Sequence, residues 1–474
     1  MTGFKRKLLW AAATLALAGC AANGAQNPPS SASSSQSPLA MEPKKTGTVR
    51  DPYPSTYKPY PGQPTAVRNV VIFDGEGGRI ESGTILFVDG KIAAVGGPEL
   101  VIPTEYHIVE GRGQYLTPGI IDVHSHLGDY PSPSVEAHSD GNEMTSPITP
   151  EVWTEHSVWP QDPGFSRALA NGGVTALQIL PGSANLMGGR SVTLKNVPSR
   201  TVQGMKFPGA PYGLKMACGE NPKRVYGAKG RAPSTRMGNF AVNRQTWIRA
   251  AAYKKKLDEG KVVDRDLAME TLAGVLAGDI LVHNHCYRAD EMALVVDMAK
   301  EFGYSIAAFH HAVEAYKIGD ILAREKICAA LWADWWGFKM ESYDAVPENL
   351  PMVHRAGACT IVHSDDENQI QRLNQEAAKA IKAGRRMGIN VSDETAWTWL
   401  AINPARALGI DQVTGSLKAG KMADIVLWNG NPFSVYTRPE KVWIDGALMF
   451  DAQQAGLRPV SDFELGQPGE GDAK

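Results

Sequence analysis

The chain has 474 residues, 43% of them hydrophobic, and its formal net charge is −2 at pH 7. This length fits about three average domains, or one large barrel with a smaller companion domain. The near-neutral charge and the absence of a long basic run give no indication of nucleic acid as a partner, and the hydrophobic content is that of a globular protein.

The first twenty residues, MTGFKRKLLWAAATLALAGC, have the three regions of a secretory signal. Lys5, Arg6 and Lys7 precede an apolar stretch that is too short to span a bilayer. The ending LAGC resembles the lipobox of bacterial lipoproteins, which implies cleavage before Cys20 and attachment of a lipid to its sulfur. A plain secretory signal is the alternative. We expect a lipid-anchored protein of a bacterial cell envelope, on the outer membrane or the periplasmic face, whose only contact with a membrane is this lipid.

A segment rich in serine, proline and alanine follows, at residues 21–60. It lacks apolar periodicity and cannot bury enough surface to fold, so we expect a disordered tether between the lipid and the folded part. We assign residues 456–474 to a C-terminal tail.

Four cysteines remain for the folded part: Cys218, Cys286, Cys328 and Cys359. Each lies in an apolar, strand-like context, so a disulfide framework is not indicated. We expect four buried free thiols.

Short strand-like runs broken by glycine flank the middle of the chain on both sides. AVRNVVIFDGEGGRI and GTILFVDGKIAAVG lie in residues 61–115, and GSLKAGKMADIVLWNGNPF has the same texture in residues 408–455. Turn signals at intervals of about 8–12 residues are typical of small sheet sandwiches. We predict that the two segments form one composite β-sandwich domain.

Eight apolar, strand-like segments alternate with helical ones in residues 116–407. They are GIIDVHSH, GVTALQIL, SVTLKN, YGLKMAC, DILVHNHC, SIAAFHH, ICAALWAD and ACTIVHSD. The alternation predicts an α/β fold in which a closed, parallel (β/α)8 TIM-like barrel is inserted into the split sheet domain, with the chemistry at the C-terminal strand ends. A doubly wound sheet is the alternative, but no glycine fingerprint for a dinucleotide opens any helix.

Most of the 11 histidines lie at the ends of these strands. His124 and His126 end the first strand, and because residues i and i+2 of a strand point to the same side, both imidazoles aim at one point. The other candidates end the fifth, sixth and eighth strands: His283, His285, His310, His311, His363 and Asp365. Imidazole and carboxylate ligands from different strands favour a divalent metal, zinc above others, with one or two ions per chain. Such an ion lowers the pKa of bound water from about 15.7 towards 7, and a carboxylate such as Asp365 can take the proton.

Four motifs in order resemble the amidohydrolase superfamily, in the branch near imidazolonepropionase and the metal-dependent prolidases. They are TPGIIDVHSH, HSDDE, AINPARALGI and GSLKAGKMADIVLW. The resemblance implies a barrel inserted into a split sheet domain, a centre with one or two metal ions, and hydrolysis of an amide-type carbon–nitrogen bond by metal-bound hydroxide. A small molecule such as a dipeptide, an N-acyl amino acid or a cyclic amide would be the substrate.

The resemblance also selects individual metal ligands, beyond His124 and His126. HCYR resembles the position at which prolidase-like members hold their fifth-strand ligand, which selects His285. HAVEAYK selects His311, and only one residue of a consecutive pair can face the interior in a regular strand. HSD marks Asp365 as the catalytic residue and as a further metal ligand.

The fourth strand offers two candidates for an anionic ligand. Lys215 in GLKMAC resembles the lysine that prolidases and phosphotriesterases carboxylate with carbon dioxide, which turns the amine into a carbamate. Glu220 in CGENPK resembles the glutamate ligand of the sugar deacetylases of this superfamily. We favour Lys215, because its side chain is long enough to reach up from within the strand. A buried lysine paired with Glu220 is the remaining alternative.

Five residues are candidates for substrate binding: Asn185, Arg190, Tyr287, Arg288 and His363. Asn185 and Arg190 lie in PGSANLMGGRSV, in which glycines let the backbone approach a ligand, although an ordinary tight turn has the same pattern. Tyr287 and Arg288 suit a substrate carboxylate or carbonyl, unless Arg288 only begins a surface helix. His363 shares a strand side with the catalytic carboxylate and either contacts the substrate or supports a metal ligand. The aromatic stretch LWADWWGFKMESYDAVP either walls a pocket for an apolar substrate group or packs against helices.

Two other functions stay open. Deaminases of this superfamily usually use a glutamate near the fifth-strand histidine, whereas here Glu291 follows His285 only after six residues, within a helix. A non-catalytic envelope lipoprotein that binds peptides or sugars is the second alternative, but none of the expected ligands is missing. The chain is also a candidate for homo-oligomer formation.

Overall fold

The computed structural model describes residues 51–132, 134–261 and 264–457. The predicted signal, the lipidation site Cys20, and most of the predicted tether and tail lie outside the described residues. Among the helices of the described part, none has the length and apolar character that a membrane crossing requires.

The strands of the described part belong to two sheets. In chain order they are β1 (Thr65–Phe73), β2 (Arg79–Val88), β3 (Lys91–Gly96), β4 (His107–Glu110), β5 (Tyr115–Pro118), β6 (Ile120–Ser125), β7 (Val174–Ile179), β8 (Met187–Lys195), β9 (Gly213–Ala217), β10 (Leu281–Cys286), β11 (Ile306–His311), β12 (Cys328–Leu331), β13 (Cys359–Val362), β14 (Ile425–Trp428), β15 (Pro439–Ile444) and β16 (Ala447–Asp451). The first sheet has the order β16-β15-β14-β5-β1-β2-β3, with β4 beside β1. The second runs from β13 to β6 without a change of order.

Helices fill most of the connections between the barrel strands. They are α1 (Pro163–Gly172), α2 (Glu220–Gly227), α3 (Arg236–Asp258), α4 (Leu267–Ala277), α5 (Ala289–Phe302), α6 (Gly319–Glu325), α7 (Asn349–Arg355), α8 (Leu373–Arg386), α9 (Asp393–Ala396) and α10 (Ile402–Ala407). The helix α5 buries Met292 and Val295 and ends at Gly303, whose φ of 77° glycine adopts without strain.

The first sheet joins the two segments that flank the barrel. Strand β5 precedes the barrel and pairs antiparallel with β14, which follows it, so that Leu116 lies opposite Leu427. The side chains of Val67, Ile85 and Phe87 are buried against them in a core of their own. A separate sheet domain built from both ends of the described chain is therefore confirmed.

The second sheet is a nearly closed eight-stranded barrel, and its strands β6–β13 are the eight segments that the sequence predicts. The prediction that all of them run parallel is wrong at β8, which is antiparallel to both β7 and β9. The physical reason is the short connection 180–186. A parallel crossover needs about a dozen residues or more, so this segment can only reverse the chain.

Hydrogen bonds close the gap between β13 and β6. The amide of Asp365 donates to the carbonyl oxygen of His124 at 3.0 Å. The hydroxyl of Ser364 donates to the buried carboxylate of Asp122. Residues that directly follow β13 are thereby fixed against the strand that carries His124.

Residues 51–60 pack against the folded part, although the sequence assigns them to the tether. The hydroxyl of Ser55 donates to the carbonyl oxygen of Lys206 at 2.6 Å, and the hydroxyl of Tyr60 donates to that of Pro198 at 2.6 Å. The predicted disordered tether therefore does not extend over these residues.

Two disulfides replace the predicted free thiols. They join Cys218 to Cys286 and Cys328 to Cys359, with Cα atoms 5.2 and 4.3 Å apart. The prediction is wrong because it judged each cysteine by its local context. Cys328 and Cys359 are register partners on β12 and β13, and Cys218 follows β9 next to the end of β10, so the sheet brings each pair together.

Candidate functional site

The C-terminal ends of the barrel strands bring most of the predicted site residues together in what we call the histidine cluster. It consists of His124, His126, Lys215, His285, His311, His363 and Asp365. All of these side chains are buried or half-buried. The site therefore lies at the edge of the barrel at which chemistry is expected.

Asp365 contacts three imidazoles of the cluster. Its Oδ1 lies 3.1 Å from Nε2 of His124 and 3.2 Å from Nε2 of His126, and its Oδ2 lies 3.8 Å from Nδ1 of His311. Burial raises the pKa of this carboxyl, but the imidazoles of His311 and His126 outweigh burial and hold the pKa below its usual range. Asp365 is therefore an anion that can accept a proton or ligate a cation.

Lys215 enters the cluster from within β9. Its side chain is only 1% exposed, and its Nζ lies 3.4 Å from Nε2 of His124. Burial lowers the pKa of Lys215 to about 7, against the opposing effect of Asp365. At neutral pH a large share of this amine is uncharged, and only the uncharged amine has a lone pair that can attack carbon dioxide.

Glu220 does not join the cluster. It is the first residue of α2, and its Oε1 lies 3.7 Å from Nζ of Lys339. Within the described part, the contacts of Glu220 do not include a histidine of the cluster. The geometry thus favours Lys215 as the fourth-strand ligand and gives no support to Glu220.

The donor atoms of the cluster fit a divalent metal ion. Two groups have donor atoms within 4.8 Å of one another: His124, His311 and His363, and His124, His126 and Asp365. Both ring nitrogens of the buried His285 have no hydrogen-bond partner among the described residues. Burying a polar atom without a hydrogen-bond partner lowers the stability of the fold by about 1–3 kcal/mol. A metal ion bound to one of these nitrogens would offset that loss. Neutral imidazoles and an anionic oxygen are the donor set of zinc and similar ions.

Both histidines at the end of β11 face the interior, which a regular strand does not allow. His311 has a φ of 68° and Ala312 one of 36°, so the strand breaks here and its alternation ends. His310 bridges two imidazoles, with its Nδ1 2.8 Å from Nδ1 of His124 and its Nε2 2.9 Å from Nδ1 of His283. It therefore orients the ring of His124, while His311 joins the donor groups.

Of the predicted pair Tyr287 and Arg288, only Tyr287 lies at the site. Its ring is buried, with its centroid 4.9 Å from that of His285, and Nζ of Lys339 lies 3.8 Å from the ring centroid. Arg288 instead pairs with Asp290 at the surface, at 2.8 Å, because it stands at the start of α5. Sequence reasoning missed Lys339, although it lies within the aromatic segment after the seventh strand.

The side chains of Asn185 and Arg190 contact other residues of the fold, which does not support their prediction as substrate contacts. The amide nitrogen of Asn185 donates to the carbonyl oxygen of Ser146 at 2.8 Å and holds that loop in place. The guanidinium of Arg190 lies 4.0 Å from the ring centroid of Trp153, and its Nε donates to Thr271 at 2.8 Å. Both side chains are buried, and these partners are not residues of the histidine cluster.

His363, predicted either to contact the substrate or to support a metal ligand, lies among the donor atoms. Its Nε2 is 3.1 Å from Nδ1 of His311 and also accepts the backbone N–H of His311 at 3.2 Å. This places it beside a candidate ligand instead of in an open substrate space.

Comparison with known proteins gives a family match over most of the chain. Residues 115–449 match the amidohydrolase family. The amidohydrolase tasK of Hapsidospora irregularis is 33% identical over 438 residues, which cover 82% of this chain and 43% of that protein. This chain thus spans less than half the length of that relative. An imidazolonepropionase of Shewanella sp. (strain W3-18-1) is 23% identical over 401 residues, covering 74% of this chain and 88% of that protein.

Solved structures agree with the fold. An amidohydrolase from Thermotoga maritima MSB8 superimposes with a TM-score of 0.75 at 36% identity, over 82% of this chain and all 100% of that one. A prolidase candidate from Bifidobacterium longum has a TM-score of 0.52 at 15% identity, over 86% of this chain and 98% of that one, which is a likeness of fold alone.

Proposed function

We propose that this chain, which belongs to the amidohydrolase family, is a metal-dependent hydrolase that cleaves an amide-type carbon–nitrogen bond of a small molecule. Dipeptides, N-acyl amino acids and cyclic amides are the candidate substrates. One observation carries the proposal: the anionic carboxylate of Asp365 lies 3.1 and 3.2 Å from Nε2 of His124 and His126. A proton acceptor thus stands beside the atoms that would hold an ion.

We assign His124, His126 and Asp365 to one divalent ion, with zinc as the first candidate, and His285 and His311 to a second. An ion held there would polarise the substrate carbonyl and make a water molecule more acidic. Burial supports this assignment, because it lowers the pKa of His285 and so keeps the imidazole neutral, as a ligand must be.

Lys215 is the proposed bridging ligand. A lysine ammonium cannot bridge cations, because it carries only donors. The uncharged amine can form a nitrogen–carbon bond to carbon dioxide and release a proton, which leaves a carbamate anion. The lowered pKa of Lys215, about 7, supports this step.

Asp365 is the proposed proton carrier. It accepts the proton of the attacking water and passes it to the nitrogen that leaves. Lys339 brings a cation to the edge of the site, since its Nζ lies 3.8 Å from the ring centroid of Tyr287. We propose that these two side chains orient a polar or anionic group of the substrate.

The test is Asp365→Asn, with turnover measured on libraries of dipeptides and N-acyl amino acids in zinc, manganese and cobalt. Loss of the proton acceptor should lower turnover by about 10²–10⁴-fold. Metal content should change little, because the asparagine keeps an oxygen beside His124 and His126 that can ligate the ion. The matched control is Asp366→Asn, because Asp366 accepts the amides of Asn368 and Gln369 and an asparagine can do the same. A variant of Asp365 that keeps more than about a tenth of the activity would rule out this carboxylate as the main proton carrier.

A deaminase of the same fold gains little support from the site. Oε2 of Glu291 lies 2.9 Å from Nε of Arg236 within an ion pair that also includes Glu341. Glu291 is therefore engaged away from His285. Ammonia release, measured in the same screen, distinguishes the two activities. The non-catalytic alternative has no support from the comparisons.

We further propose that the protein is exported and held by a lipid on Cys20. The two disulfides support export, because such bonds form and persist in oxidising compartments. Cys20→Ser should move the protein from the membrane fraction to a soluble or uncleaved form and leave its catalysis intact. Unchanged membrane attachment of the variant would contradict the anchor.

A further inference from the structure

A cavity of about 130 Å³ opens beside the histidine cluster. It lies under the segment between β12 and α7, and its walls are mainly apolar: Val313, Trp332, Trp335, Ala345, Val346 and Pro347. His311 also lines it, so the cavity adjoins the candidate metal centre.

Trp332 forms the boundary between the cavity and the centre. Its ring stacks on His311 with centroids 4.3 Å apart and on Trp335 with centroids 4.5 Å apart. Its Nε1 donates to the carbonyl oxygen of Ser364 at 3.0 Å, directly before the catalytic carboxylate. One wall of the cavity is thus fixed to the residues that would perform the chemistry.

Besides His311, the polar side chains at the cavity are Asp334 and Asn349, and both are already engaged. Oδ2 of Asp334 lies 3.1 Å from Nζ of Lys379. The amide nitrogen of Asn349 donates to the carbonyl oxygens of Ala312 and Val313, and its oxygen accepts the amide of Tyr316 at 3.0 Å. A polar occupant would have to give up its hydrogen bonds with water and would find few replacements, whereas an apolar occupant loses none.

We infer that this cavity binds an apolar group of the substrate, up to the size of one six-membered ring, next to the bond that is cleaved. The inference rests on the proposed hydrolase function and narrows its substrates to amides with one apolar substituent of that size. The volume supports the limit, since an apolar cavity of about 150 Å³ is known to admit benzene.

Three amides test the inference through binding alone: acetamide, phenylacetamide and 1-naphthylacetamide. Their dissociation constants are measured by ligand-observed NMR on the purified zinc-loaded protein. Because the phenyl ring leaves water, phenylacetamide should bind at least about tenfold more tightly than acetamide. The naphthyl group exceeds the volume, so 1-naphthylacetamide should lose most of that gain. Equal affinity for all three amides would overturn the inference.

Two variants alter the cavity in opposite directions. Ala345→Trp fills it and should lower the affinity for phenylacetamide about tenfold, to that for acetamide. Trp335→Ala widens it and should raise the affinity for 1-naphthylacetamide. Ala252→Trp is the matched control, because Ala252 is exposed on α3, and it should change the affinity by less than about twofold. If circular dichroism shows that Ala345→Trp does not fold, the affinity of Trp335→Ala for 1-naphthylacetamide tests the inference, and an unchanged affinity would overturn it.

Failure of this inference and failure of the proposed function give different results. Selective binding of phenylacetamide without hydrolysis of any amide in the screen would support the cavity and contradict the hydrolase. Hydrolysis without a preference for apolar substituents, unchanged by Ala345→Trp, would support the hydrolase and overturn the role of the cavity.

Discussion

Two lysines on neighbouring barrel strands are equally buried but have opposite surroundings. Lys195 ends β8, and its Nζ lies 2.7 Å from Oδ2 of Asp445 and 3.3 Å from Oδ1 of Asp424. Lys215 lies on β9, and its Nζ lies 3.4 Å from Nε2 of His124. Lys195 therefore ties the barrel to the sheet domain through two ion pairs, whereas Lys215 faces neutral rings.

The difference shows that the neighbouring charges, and not burial alone, determine whether the pKa of a buried lysine is raised or lowered. Burial lowers the pKa of both lysines, but the carboxylates of Asp424 and Asp445 outweigh burial at Lys195 and raise its pKa. At Lys215 the opposing effect of Asp365 is weaker, and the pKa is about 7. One lysine is a permanent cation that supports the fold, and the other is an amine available for chemistry.

Removal of Lys195 should have the largest effect. Lys195→Met leaves two buried carboxylates without their cation, and breaking a buried pair in this way costs about 3–5 kcal/mol. The free energy of unfolding, measured with urea on metal-free protein, should fall by that amount. Lys215→Met is the matched control and should not lower it by more than about 1 kcal/mol, since no charge is left behind. Equal losses in the two variants would contradict the comparison.

Removal of Lys215 should instead lower the catalytic activity. Lys215→Ala loses the proposed anionic bridge, and because metal charge stabilisation amounts to several kcal/mol, turnover should fall at least about hundredfold. Added acetate or propionate should restore part of the turnover by supplying a carboxylate in place of the carbamate. Lys195→Ala should show no such rescue. If neither acid restores turnover at position 215, the carbamate proposal fails.

The pH dependence of stability should separate the two lysines further. An unfolded lysine has a pKa of about 10.4, so between pH 7 and that value the unfolded chain binds more protons at Lys215 than the folded protein does. Stability of the metal-free protein should therefore rise with pH by up to about 1.4 kcal/mol per unit, and Lys215→Met should remove this rise. The pKa of Lys195 is raised, so its contribution to the free energy of unfolding stays constant between pH 7 and 10 and is lost only at higher pH. Urea unfolding of both variants from pH 7 to 10 provides the measurement.

The smallest effect is expected at Glu220. Its partner Lys339 lies 3.7 Å away, and partly exposed ion pairs with so long a separation contribute about 0–1 kcal/mol. Glu220→Gln should keep its metal, measured by atomic emission, and change turnover by less than about fivefold. Loss of metal in this variant, with metal retained in Lys215→Ala, would exchange the roles of the two residues.

Much of this architecture could be predicted from the sequence, because apolar periodicity and strand-end polarity are local signals. The eight barrel strands and the split sheet domain follow from such signals. The preference for Lys215 over Glu220, which stays a prediction, also depends on a local fact, namely that Lys215 lies within β9 whereas Glu220 begins α2.

The remainder depends on features that single residues do not reveal. The rule of alternation excluded one of His310 and His311, but the positive φ of His311 ends the strand and admits both. The disulfide between Cys328 and Cys359 depends on which strands become neighbours. Lys339 reaches Tyr287 from a segment without regular periodicity.

Glycine-rich and basic patterns also misled the assignment of substrate contacts. Arg190 lies in a strand with glycines, but β8 reverses direction, and the guanidinium packs on Trp153 outside the cluster. The direction of β8 is determined by the length of the connection 180–186, and motifs considered one by one do not reveal that length.

The disulfide between Cys218 and Cys286 affects how the protein should be purified. It ties the end of the strand that carries Lys215 to the end of the strand that carries His285. Dithiothreitol in a purification buffer would compete for a thiophilic metal such as zinc, and it would also cut this tie whenever the fold opens, since both cysteines are buried in the folded protein. Activity lost in such a buffer would then have two causes that a metal titration alone cannot separate. Production in the periplasm or another oxidising compartment, followed by purification without thiols, keeps both the disulfide and the metal ligands intact.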